Sequence, residues 1–117
     1  MESYRELTVW QKSMLLVKET YLLCRLLPNE EMYALSSQMR RASISIPSNI
    51  AEGFGRGSRK DYTHFLAIAK GSAYELDTQI RAAIMLDFFE AEKAETALNL
   101  CEEICKMLNA LIKKLNP

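Results

Sequence analysis

Asp61 and His64 are spaced as a carboxylate-x-x-His pair, the motif that di-iron helical bundles use twice alongside further carboxylates. The chain has one histidine, so a second copy would have to come from a homodimer, and both residues fall at an exposed helix start. Cys24, Cys101 and Cys105 complete a conceivable zinc set with His64. At about 1.5 Å of rise per residue, however, Cys24 and His64 lie near opposite ends of a helical bundle, roughly 20 Å apart. Cys101 and Cys105 stand one turn apart in an apolar seam and read as small buried hydrophobes. Ser43, Ser45 and Ser48 have no histidine at their level, and no nucleophile elbow or glycine-rich phosphate loop occurs. Gly53-x-Gly55-x-Gly57 follows a helix rather than a strand, which makes it a turn and not a dinucleotide fingerprint. The expectation is no catalytic residue, no metal, no cofactor and no enzyme.

The cations offer different chemistry. Arg59 and Lys60 open a helix, where the macrodipole opposes a positive charge by about 0.3–1 kcal/mol, and Arg56 sits in the turn before them. Cations set against the dipole, beside glycines that expose backbone N–H groups, point to phosphate binding. Arg40 and Arg41 lie in mid-helix and point about 100° apart, so they cannot share one role. With Gln38, Asn49, Glu52 and Glu75 they are candidates for a polar network within or between subunits. One of the two is expected to pair with a carboxylate while the other faces solvent or a ligand.

The elements that position these residues follow from a helical rhythm along almost the whole chain. Leu7, Trp10, Met14, Val17, Tyr21 and Cys24 form one seam on a helix spanning about 8–27, which Pro28 stops. Asn29 is a plausible N-cap for a second helix over about 30–53, with Met32, Leu35, Met39, Ala42 and Ile46 on its seam. Pro47 lies inside it and predicts a kink, the alternative being two helices broken at Ile46. Ser58 and Asp61 have the capping-box form and start a third helix over about 59–86, with the seam Tyr62, Phe65, Ala69, Ala73, Leu76, Ile80 and Ala83. A fourth, about 90–115, buries Ala94, Leu98, Cys101, Cys105, Leu108, Ile112 and Leu115. Four helices with short connections and no strand-period segment predict an all-α, antiparallel up-down four-helix bundle.

Up-down topology then sorts the charges. Arg5, Arg56, Arg59, Lys60, Lys113 and Lys114 gather at a lower pole, while Glu30, Glu31, Asp87, Glu90, Glu92 and Glu95 gather at the upper one. The 117 residues, 49% hydrophobic, make one domain with one core. Fifteen Lys plus Arg balance fifteen Asp plus Glu, so total charge selects no partner. No apolar run reaches the roughly 18 residues of a membrane span, and Met1–Glu6 lacks a secretory pattern. Three cysteines suit a reducing cytoplasm. Leu15, Leu16, Leu22, Leu23, Leu26 and Leu27 spread apolar surface well beyond one stripe of the first helix, which predicts self-association.

The run Gln38-Met39-Arg40-Arg41-Ala42, Ser45-Ile46-Pro47-Ser48-Asn49-Ile50-Ala51-Glu52-Gly53 resembles the 23S rRNA intervening-sequence protein family. Pro28-Asn29-Glu30-Glu31, Tyr33-Ala34-Leu35, Phe65-Leu66-Ala67-Ile68-Ala69-Lys70-Gly71-Ser72, Glu75-Leu76 and Trp10 fit the same pattern, from about Leu7 to Leu115. The resemblance implies a bacterial, cytoplasmic four-helix bundle that assembles as a homopentamer. It also implies kinship with the accessory variability determinant of diversity-generating retroelements, a basic pentamer that binds nucleic acid. This chain departs from those relatives in being neutral, with a pI near 6.6. The leading expectation is a homo-oligomer whose basic pole contacts RNA or DNA phosphates through Arg56, Arg59 and Lys60, supported by Arg40 or Arg41, Lys113 and Lys114. Its rival is an oligomeric scaffold that holds a protein partner and touches no nucleic acid.

Overall fold

Ser58 has extended backbone and its Oγ accepts from the Asp61 amide at 3.1 Å, so the third helix starts at the residue its capping box specifies. In the computed structural model, which describes residues 2–116, the elements are α1 (Thr8–Cys24), α2 (Leu35–Gly55), α3 (Arg59–Met85) and α4 (Ala91–Leu115). Short 3-10 turns occupy Tyr4–Glu6 and Asn29–Glu31, and no strand occurs among the described residues.

Two boundaries differ from the sequence reading. Helix α1 ends at Cys24 rather than near Leu27, because the chain tightens ahead of Pro28. Leu26 N donates to Leu23 O at 2.9 Å and Leu27 N to Cys24 O at 3.2 Å, both one residue short of the α pattern. Asn29 does not cap α2. It opens a separate 3-10 turn, closed by Glu31 N to Pro28 O at 2.9 Å, and α2 begins only at Leu35, behind Ala34. From there α2 runs through Pro47 to Gly55 as one helix, not as two helices parted at Ile46.

Helix α1 packs against α2 and α4, and α3 packs against the same two, while no Cα atoms of the diagonal pairs come within 8 Å among the described residues. Side-chain pairs fix an antiparallel register: Ser45 with Ser72 at 2.8 Å, Lys70 with Asn109 at 3.0 Å, and Lys12 with Glu103 at 2.8 Å. The result is an up-down four-helix bundle measuring 43 × 23 × 19 Å.

The core seams of α3 and α4 match the periodicity closely, and that of α1 does not. The buried row on α1 is Val9, Ser13, Leu16, Thr20 and Leu23, with Cys24 of the expected seam buried beside it, whereas Met14 and Tyr21 are exposed. Two hydroxyls interrupt the true row and hid it. Each is satisfied within the helix, Ser13 Oγ donating to Val9 O and Thr20 Oγ1 to Leu16 O, both at 2.7 Å. The leucines are thereby sorted as well, with Leu16 and Leu23 inward and Leu15, Leu22 and Leu26 outward.

The glycines of the α2–α3 turn do separate jobs. A Cβ on Gly53 would stand 2.8 Å from Phe65 Cβ, so Gly53 permits the close approach of α2 to α3. Gly57 takes φ +83°, where L side chains are strained. Gly55 faces open space.

Candidate nucleic-acid interface

Arg59 and Lys60 are exposed on the first turn of α3, and they line a surface hollow together with Thr63 and Asn116. That hollow joins the start of α3 to the end of α4, where Lys113 and Lys114 occupy the last turn. Arg5 lies at the same end, in the 3-10 turn that packs on α1 and α2, with its guanidinium over the Tyr4 ring. The lower pole therefore assembles Arg5, Arg59, Lys60, Lys113 and Lys114 as exposed cations, none within ion-pair distance of a carboxylate among the described residues.

Arg56 is placed there differently. Its Nη2 meets Glu52 Oε2 at 2.6 Å, and its guanidinium lies 4.8 Å from the centre of the Phe65 ring. One charge of the expected trio is thus paired and stacked, which orients it but offsets its field.

Arg40 and Arg41 do not join the pole. They line hollows on the other side of α2, against the end of α1, and neither pairs with a carboxylate. Arg40 Nη2 donates to the backbone carbonyl of Met32 at 3.3 Å, so its partner is a main-chain oxygen rather than the expected carboxylate. The other polar residues also separate within the chain. Asn49 Nδ2 donates to Ser45 O at 2.8 Å and to Ser45 Oγ at 2.9 Å, and Ser45 in turn meets Ser72 across the α2–α3 interface. Glu52 is held by Arg56, Glu75 accepts from Gln79 Nε2 at 3.3 Å, and Gln38 is exposed with no side-chain bond among the described residues. No hydrogen bond links Gln38, Glu52 or Glu75 to Asn49 among the described residues. The link from Ser45 to Ser72 was not foreseen; two small hydroxyls at facing levels were its only signal.

Three groups with shifted acidities sit away from this surface, on the flank where α3 meets α4. Burial pushes the Cys101 thiol up to about 12, with the Asp77 charge adding to the effect. Burial also raises Cys105, again helped by Asp77. The Arg81 guanidinium is held further in its charged form by its hydrogen bond to Asp77. Among the described residues no three His, Cys, Asp or Glu side chains converge as a metal set.

The sequence model of the 23S rRNA-intervening sequence protein matches residues 5–110. The chain belongs to that family. A solved structure from Bacteroides thetaiotaomicron VPI-5482, described as a protein with unknown function from the S23 ribosomal protein family, is similar throughout. It has 31% identity and a TM-score of 0.83, over 91% of this chain and 99% of that one. No curated protein matches the chain. The family assignment agrees with the fold, and that solved structure is itself described as of unknown function.

Proposed function

We propose that this family member is a non-enzymatic homo-oligomer whose lower pole binds the phosphate backbone of RNA or DNA without base specificity. The observation behind this reading is the convergence of Arg59, Lys60, Lys113 and Lys114 at one end of the bundle, exposed and without carboxylate partners among the described residues. Each neutralised phosphate releases counterions, so affinity falls steeply with salt, and repetition of the pole around an oligomer multiplies the contacts. Self-association is supported by an asymmetry of the surface. Among the described residues, every exposed large hydrophobic lies on α1, α2, α3 or the connections, and none on α4. Leu15 and Leu22 make an apolar strip along α1 that Leu26 continues past its end, separated from Met14 and Tyr21 by the exposed Gln11, Lys18 and Arg25. A homopentamer is the assembly the family resemblance implies. The buried thiols of Cys24, Cys101 and Cys105 suit the reducing cytoplasm.

The test is a salt titration of binding to a mixed-sequence RNA. Arg59→Ala with Lys60→Ala should weaken binding equally across sequences and lower the salt slope by about 1–2 per protomer. Adding Arg56→Ala should change it less, because Arg56 is already paired with Glu52. Binding by the double variant equal to that of the parent would remove the pole from the account. The scaffold reading, in which a protein partner replaces nucleic acid, draws its support from the carboxylates of the opposite end and from Glu52 beside Arg56. It predicts no binding to RNA at any salt.

A further inference from the structure

Two adjoining open hollows, of about 460 and 450 Å³, run along the junction of α1 with the first half of α2 and share Tyr21 and Arg40. Arg25 lines one and Arg41 the other, so three guanidiniums border a single groove. No carboxylate lines either hollow, and none of the three arginines has an ion-pair partner among the described residues. Elsewhere on the surface Arg56 and Arg81 each have an acid one helical turn away. Like charges gathered without a counter-charge repel one another, and a polyanion in the groove turns that repulsion into attraction.

The rest of the lining narrows the anion. Forked guanidiniums match pairs of phosphate oxygens. The hydroxyls of Ser36 and Ser37 border the same hollows, and Tyr21, 43% exposed, offers an aromatic ring, with Met32 and Ile44 as apolar neighbours. Arginines beside an aromatic ring are the combination with which single strands are held: charge on the backbone and a flat face for a base.

We propose that the α1–α2 groove binds a short single-stranded stretch of nucleic acid, with phosphates on Arg25, Arg40 and Arg41 and a base against Tyr21. The proposal rests on the nucleic-acid reading above for its class of ligand, but it places a second site on a different face from the lower pole. An acidic protein segment would satisfy the arginines and leave the ring and hydroxyls without a specific role.

The experiment is fluorescence anisotropy of labelled triuridylate, too short to span both sites, alongside a long single-stranded RNA. The parent is compared with Arg40→Gln/Arg41→Gln, with Tyr21→Leu and with Arg59→Gln/Lys60→Gln, circular dichroism confirming that each variant keeps its helices. The groove double variant should lose triuridylate affinity by about tenfold or more. Tyr21→Leu, which keeps the bulk but removes the ring, should lose about fivefold or more. The pole variant should stay within about twofold on triuridylate and weaken only on the long RNA. Undiminished triuridylate binding by the groove variant overturns the proposal and leaves the pole standing, whereas loss on the long RNA in the groove variant alone removes the pole instead. Competition separates the remaining ligands. Hexaglutamate displacing triuridylate at lower concentration than uridine monophosphate overturns the nucleotide assignment in favour of an acidic protein. Inorganic phosphate displacing it as well as uridine monophosphate does overturns the contact between base and Tyr21.

Discussion

At the scale of single residues, burial decides what the ionisable groups can do. Cys101 is 1% exposed and its thiol is pushed from 9.0 up to about 12. In the unfolded chain the same thiol ionises near its ordinary value, so above that pH the unfolded state releases a proton that the folded state keeps. Stability is therefore unaffected below pH 9.0 and declines as pH rises from there towards about 12. The urea midpoint of the parent should fall over this alkaline range, and Cys101→Ala, although less stable at neutral pH, should fall less steeply. An identical alkaline slope in parent and variant would remove Cys101 as the cause. Little of this was foreign to the sequence, since the one-turn spacing of Cys101 and Cys105 already placed both in a seam. The partners of the arginines were not legible there. A contact between Arg56 and the Phe65 ring, or between Arg40 and the Met32 carbonyl, depends on how two elements meet rather than on the spacing within either.

Elements are held by close approach as much as by apolar rhythm, and the α2–α3 turn shows it. Gly53→Ala drives a methyl against Phe65 Cβ and the Tyr62 carbonyl, and should cost about 1–3 kcal/mol in urea unfolding. Gly55→Ala meets nothing and should stabilise by up to about 1 kcal/mol through helix propensity. Equal effects at the two positions would contradict the packing described for Gly53. On α1 the periodic reading selects an apolar strip rotated to one side of the core: Cys24 is buried and Leu7 and Trp10 pack against the core, but Met14 and Tyr21 are exposed. Trp10, Met14, Val17 and Tyr21 do repeat at helical spacing, but they flank the core, while Ser13 and Thr20 lie inside it. A row containing two hydroxyls does not look apolar until their back-bonds to Val9 and Leu16 are seen. Leu16→Ala should accordingly cost about 2–5 kcal/mol as a core truncation. A loss of under about 1 kcal/mol would return the seam to the row through Met14. The α3 and α4 seams were legible because alanine, leucine, isoleucine and cysteine fill them with few interruptions, and the start of α3 was legible because Ser58 caps it.

Over the whole molecule, a neutral total conceals an uneven surface. Cations without carboxylate partners occupy the lower end, carboxylates cluster at the upper end, and a third set of cations lines the α1–α2 groove. The polarity of the two ends followed from helix order alone. The groove did not, because no motif marks Arg25 and the periodicity puts Tyr21 on the core seam of the first helix. Apolar surface is equally uneven: large hydrophobics are exposed on α1, α2 and α3, whereas those of α4 are at least half-buried. Leu15→Glu with Leu22→Glu should convert the proposed homo-oligomer to monomers in light scattering while leaving the helical content intact. An unchanged assembly size would move the interface off that strip.

The most direct test of the central claim is size-exclusion chromatography with light scattering, run with and without a short RNA at low and at moderate salt. Phosphate binding by the basic pole requires an oligomer that carries RNA at low salt and releases it as salt rises. An oligomer that elutes free of RNA at both salts would contradict phosphate binding by the basic pole and favour a scaffold for a protein partner.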